Sequence, residues 1–150
     1  MRAAFLALLL LFPAPAAAAK TDEKRAMLAV VQEFFDALAA RDAERVKRLV
    51  VTEGTIAGHD SRAPAAGLFV ERWPAWAEGL RSGSARLEER MHRARVRIRG
   101  TMGSVWTSYS FYRDGKFSHC GIDNFDMAKV EGRWKILNLT FTMESKGCRR

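Results

Sequence analysis

His119 and Asp123 are the residues whose types best suit acid–base work. A histidine and an aspartate four residues apart on one strand are separated by about 13 Å, too far for direct proton transfer. They can still line one pocket and act on different atoms of a ligand; the competing reading is an outer-face pair exposed to water. Counting back from two tight turns brings Ser110, His119 and Glu144 into one cross-strand row, with neighbouring Cβ atoms about 5 Å apart. Those types suit a hydrolase, but no Gly-x-Ser-x-Gly elbow accompanies them, and coincidence is the better reading. His59-Asp60 and His92 complete the three histidines. None has His-x-His or His-x-x-x-His spacing, so neither a metal site nor a cofactor is expected. His92 shares a face with Val96 and Ile98, as a core histidine or a pocket donor.

Arg93, Arg95, Arg97 and Arg99 alternate along one strand face. Such a stripe attracts anionic lipid headgroups or acidic polymers; the simpler reading is a solvated face paired with Glu88 or Glu89. No aromatics interleave it, which argues against nucleic acid. The two cysteines, Cys120 and Cys148, are too few for a disulfide-dense scaffold or a zinc module. A bond between them would pin the C-terminal tail.

The chain has 150 residues, 48% hydrophobic and 28% charged. That suffices for one domain and excludes collagen, coiled coil and wholesale disorder. Residues 1–19 read as a secretory signal: Arg2 supplies the positive end, Ala3 to Phe12 the apolar run, and Ala17-Ala18-Ala19 the cleavage site. The run is shorter than the roughly 20 residues a membrane span needs, and no second run follows. The expectation is a periplasmic or secreted domain over 20–150, not an integral membrane protein. Its formal charge falls from +8 to +7 with the loss of Arg2. Export removes nucleic acid as a partner despite that charge, and favours the disulfide.

These groups need elements to hold them. From Lys24 to Arg41, Met27, Leu28, Val31, Phe34, Phe35 and Leu38 recur at spacings of three and four, the mark of an amphipathic helix. Asp42 can N-cap a short second helix with Val46, Leu49 and Val50 inward. Gly54 and Gly58 bracket a short strand, and His59 to Gly67 read as a loop. Phe69, Trp73, Trp76, Ala77 and Leu80 suggest a third helix, entered at Pro74, that packs in the core or roofs a pocket. Four alternating strands follow: Arg86 to Arg99, Met102 to Arg113, Lys116 to Val130 and Arg133 to Met143. Asp114-Gly115 and Glu131-Gly132 supply two-residue turns. The result is an α+β domain with helices packed on one face of an antiparallel sheet. Register counted from the turns puts Trp106, Ser108, Ser110, His119, Asp123, Asn138 and Thr140 on one face. Val105, Tyr109, Phe111, Cys120, Ile122, Leu137, Leu139 and Phe141 take the other, which reads as core. A bulge would exchange the faces beyond it.

The run Val30 to Leu38, the pair Arg41-Asp42 and the segment Gly132-Arg133-Trp134-Lys135-Ile136-Leu137 resemble the nuclear transport factor 2-like superfamily, in its SnoaL-like and lumazine-binding-like branches. The resemblance spans the chain beyond the leader. It implies a cone-shaped α+β fold whose curved sheet closes around a pocket, frequent homodimers, and members that are isomerases, dehydratases, cyclases or binders. The opening helix contains no Tyr, so the Tyr–Asp pattern of the ketosteroid isomerases does not carry over. Pocket candidates are Trp106, Tyr109, His92, His119, Asp123, Trp73 and Asn138. Three functions follow as expectations: an exported domain binding an unknown small molecule, an isomerase or dehydratase using His119 and Asp123 as acid and base, and a dimeric assembly domain. A binder calls for a closed apolar pocket, an enzyme for a buried, shifted Asp or His beside a donor, and an assembly domain for a filled cone.

Overall fold

The computed structural model describes residues 16–62 and 67–148; residues 1–15 of the expected leader lie outside them. Helix α1 (Ala16–Ala39) starts ahead of Lys24, so the expected cleavage point after Ala19 falls within its first turns. No described helix is long and apolar enough to cross a membrane. The periodicity read from sequence is the face α1 buries: Met27, Val31, Phe34, Phe35 and Leu38. A left-handed Arg41 (φ 53°) follows the helix, and its guanidinium donates to the carbonyls of Leu80 and Ala85. The Asp42 side chain then accepts from the Arg45 amide at 2.8 Å, capping α2 (Ala43–Leu49).

Six strands form one sheet: β1 (Thr55–Asp60), β2 (Leu68–Arg72), β3 (Leu87–Arg99), β4 (Met102–Arg113), β5 (Lys116–Val130) and β6 (Arg133–Met143). Their order is β2-β1-β6-β5-β4-β3, antiparallel except where β1 runs parallel to β6. The four-strand meander is the one the alternation predicts. Strand β2 is not: Phe69 belongs to a strand rather than to the third helix. Its ring packs on Phe141 at 5.6 Å above Gly58, where a Cβ would collide with both rings. The third helix, α3 (Trp73–Gly79), begins immediately afterwards with Pro74 in its first turn.

Both hairpin turns have positive φ at their two central residues, Asp114-Gly115 and Glu131-Gly132. They pair Arg113 with Lys116 and Val130 with Arg133 as expected. Beyond them, register shifts decide the faces, because each bulge inverts the pleat that follows. Between the first turn and the site, Ser118 is the extra residue: Tyr112 pairs with Phe117 and Phe111 with His119. His119 therefore faces Phe111 rather than Ser110, and Asp123 faces Thr107 rather than Trp106. Both join Val105, Tyr109 and Phe111 on the inner face, while Cys120 and Ile122 move to the outer one. The Ser110–His119–Glu144 row dissolves, since Cys120 stands between Ser110 and Glu144. A second shift makes Leu137 the extra residue of β6. A third lies between His92 and Arg95, with Arg93 in the left-handed region (φ 48°). It puts His92 on the outer face with Arg95 rather than inside with Val96. The helices cover the inner face, and Trp73, Phe34, Phe125, Ile56 and Ile136 fill the space between.

Candidate functional site

A cavity of about 260 Å³ remains inside the cone. Helix α1 contributes Phe34 and Leu38, β1 contributes Ile56, and α3 contributes Trp76. Strands β3 to β6 close it with Leu87 and Glu89, Tyr109 and Phe111, His119 and Asp123, and Leu139, Phe141 and Met143. The volume sits just under the span of about 300–1,000 Å³ usual for small-molecule sites. A larger cleft of about 680 Å³ runs outside, between α1 and the β5–β6 end. Its carboxylates are already paired, Glu23 with Lys129 and Trp134, Asp22 with Arg25 and Glu33 with Arg45, whereas the inner cavity holds carboxyls without a cation partner.

Glu89 and Asp123 meet there, hydrogen-bonded carboxyl to carboxyl. Asp123 is only 2% exposed, and its Oδ2 has no hydrogen-bond partner. Glu89 is half-buried, and two carboxyls in contact, one of them shut off from water, do not both ionise. Burial pushes Glu89 up to about 7, with its bond to Asp123 pulling the other way. Burial first, then the charge of Glu89 and the bond to it, drive Asp123 well above the usual carboxylate range. At neutral pH the pair keeps at least one proton.

Burial, and then the nearby Arg62 cation, hold His119 down to about 4 despite an opposing Asp60. It is a neutral imidazole at neutral pH, with Nδ1 3.0 Å from Ser118 Oγ and its ring stacked 4.7 Å from Phe111. Arg62 itself is paired with Asp60 at 2.6 Å, and that bond takes Asp60 down to about 2. Burial, reinforced by the charge of Asp123, keeps the Tyr109 phenol protonated. Its hydroxyl donates to the Thr142 carbonyl at 2.6 Å, so Tyr109 offers the cavity its ring. Gly121, opposite Tyr109, makes that reach possible: a Cβ there would lie 1.9 Å from the same carbonyl oxygen.

The residues singled out from sequence divide between this cavity and the rest of the molecule. Tyr109, His119 and Asp123 line it. Trp73 is fully buried core, its Nε1 donating to the Leu137 carbonyl at 2.8 Å, and Trp76 one turn later faces the cavity instead. Trp106 stands on the outer face, 51% exposed. His92 lies there too, with Nε2 2.9 Å from Ser110 Oγ. Asn138 accepts from the Thr55 amide at 3.0 Å and its hydroxyl at 3.1 Å, fastening β1 to β6. Cys120 and Cys148 are joined by a disulfide, with Cα atoms 5.5 Å apart; Cys120 bridges to Glu144, not to the expected Met143. Glu89, assigned above to the arginine stripe, is the residue that reading missed. It lies two residues from apolar Leu87 and Met91, on the same side of the pleat, and that signal places it inside. Among the described residues no three His, Cys, Asp or Glu groups gather to hold a metal.

Helices on the concave side of a curved sheet, enclosing a pocket, define the nuclear transport factor 2-like fold, and solved structures agree. A superfamily protein from Salmonella enterica serovar Typhimurium superposes with TM-score 0.68 at 13% identity, over 86% of this chain and 96% of the other. An NTF2-like protein of unknown function from Shewanella baltica gives 0.64 at 16%, over 84% and 97%. A "Putative Scytalone Dehydratase" from Novosphingobium aromaticivorans gives 0.70 at 14%, over 89% and 93%. At such identities the likeness is one of fold. Within that fold, the model of the family described as "Putative lumazine-binding" matches residues 22–142, and the chain belongs to that family. No protein with a curated description matches it.

Proposed function

We propose that the cavity binds a small, flat, largely apolar ring molecule carrying oxygen or N–H groups, with Glu89 and Asp123 as its polar anchor. One observation carries this reading: the buried, unpartnered Oδ2 of Asp123 in a wall that is otherwise mostly aromatic and aliphatic. Leaving such an atom unsatisfied costs about 1–3 kcal/mol, which a ligand donor recovers. A carboxyl pair holding one proton offers a donor and an acceptor side by side. The edge of a lumazine-type ring, with alternating N–H and C=O groups, complements that arrangement, and the family description supports the same class. The apolar run Ala3 to Phe12 and the disulfide support export to an oxidising compartment.

The same pair favours a second reading, an isomerase or dehydratase of a small organic substrate. A carboxyl near pKa 7 suits a general acid or base at neutral pH. Here Glu89 takes the role the sequence assigned to His119, because the imidazole is held neutral and carries no readily lost proton.

Native mass spectrometry of the exported protein, followed by titration with lumazine and related pteridines, tests the binding reading. A stoichiometric ring compound lost in Asp123→Asn supports it; an empty protein blind to every ring tested overturns it. Hydrogen–deuterium exchange into a bound ligand, abolished by Glu89→Gln, would move the assignment to the enzyme. Intact mass reads leader cleavage in the same spectrum.

A further inference from the structure

We propose that the outer face of the sheet at β3 and β4 docks on an anionic lipid surface. Across these strands Arg95 stands beside Trp106, Arg97 beside Ser104, and Arg99 beside Met102. Trp106 is 51% exposed and Met102 49%, although both are large and apolar. The three arginines are exposed, and among the described residues none of them enters an ion pair or side-chain hydrogen bond. Arg90 shows the contrast on the same strand, beyond the bulge: it pairs with Glu88 at 2.6 Å and lies 4.3 Å from the centre of the Tyr112 ring. Of the carboxylates on the outer face, Asp126 lies next to this patch, opposite Ser104 on the next strand, whereas Glu88 and Glu144 lie beyond the bulge, Glu88 held by Arg90 and Glu144 opposite Cys120.

The composition of the face chooses its occupant. A second copy centred on Trp106 would bring two arginine stripes together, and like charges across an interface oppose it. A soluble acidic polymer satisfies the guanidinium groups but leaves Met102 in water. An anionic bilayer meets both needs. Headgroup phosphates take the arginines, which lie about 7 Å apart along the strand, while the indole and thioether enter the boundary with the acyl chains. Each arginine held near such a surface adds about fivefold to partitioning.

Vesicle sedimentation of the exported, purified chain tests this. Vesicles of phosphatidylglycerol with phosphatidylcholine should pellet the protein, and phosphatidylcholine alone should not. The pair Arg95→Gln with Arg97→Gln should weaken binding about 25-fold, with a thermal melt to verify folding. Brominated acyl chains should quench tryptophan emission, and Trp106→Phe should remove that quenching; this arm stands even if the double variant fails to fold. The proposal is overturned if anionic vesicles leave the protein in solution, or if both vesicle types bind it equally. It is also overturned if heparin binds while vesicles do not, or if Trp106 instead seals a dimer that Trp106→Ala splits.

Discussion

Asp123 and Asn124 are adjacent in β5, yet they inhabit different solvents. Asp123 points inward, 2% exposed beneath the helices, and holds its proton far above the usual range for a carboxylate. Asn124 points outward, beside the half-exposed Trp106 and one strand from the solvated Arg95. The same pleat thus makes one face a place where a proton is kept and the other a place where cations stay free. A helix layer on one side only is enough to produce the difference.

Changes to the inner face should dominate stability. Phe125 is fully buried between Phe34 and Phe35, with ring centres 5.8 and 5.9 Å away. Phe125→Ala should cost about 3–5 kcal/mol in a urea denaturation midpoint. The outer face has one strong tie, the Cys120–Cys148 bond across a separation of 28 residues. Cys148→Ser should cost about 3 kcal/mol, read in the same assay. The carboxyl pair should set the pH dependence. An unfolded glutamate releases its proton near 4.5, whereas folded Glu89 retains it to about 7. Between those values the folded state holds more protons, so stability falls as pH rises and stays lower above 7. Glu89→Gln removes the titrating group and should flatten that decline, raising stability at pH 8 by on the order of 3 kcal/mol. An unchanged slope between pH 5 and 8 would break the contrast between the faces. Smallest of all, Trp106→Ala and Asn124→Asp should each move the midpoint by less than about 0.5 kcal/mol.

Most of the architecture was legible because it rests on local signals. The spacing of Met27, Val31, Phe34 and Leu38 announces α1, and Asp114-Gly115 and Glu131-Gly132 announce the hairpins. The site was less legible because Ser118 lies between the turn and the chemistry. Counting outward from Asp114-Gly115 carries the error past the bulge and sends His119 and Asp123 to the wrong face. Counting back from Phe125 and Met127, which must be buried, puts Asp123 and His119 inside without knowledge of the bulge. Glu89 yields to the same rule through Leu87 and Met91. Strand β2 gave no such signal: its Leu68 and Val70 are exposed, and Phe69 sits at a spacing from Trp73 and Trp76 that also fits a helix.

The parallel pairing of β1 with β6 joins residues as far apart as Thr55 and Asn138, 83 positions along the chain. The meander needs only two-residue turns to form its central pairs, and chain-closure entropy delays distant contacts relative to such local ones. The order of assembly expected from this topology is strands β3 to β6 first, with α1, α2 and β1 folding back over them. Glu89 and Asp123 belong to the early part, and Phe34 and Ile56, which help to enclose them, to the late part. Until that closure the two carboxyls face water and ionise as ordinary acids at neutral pH. Completion of the fold therefore draws a proton from solution, and a pH-indicator dye in a stopped-flow refolding experiment would see the cavity close.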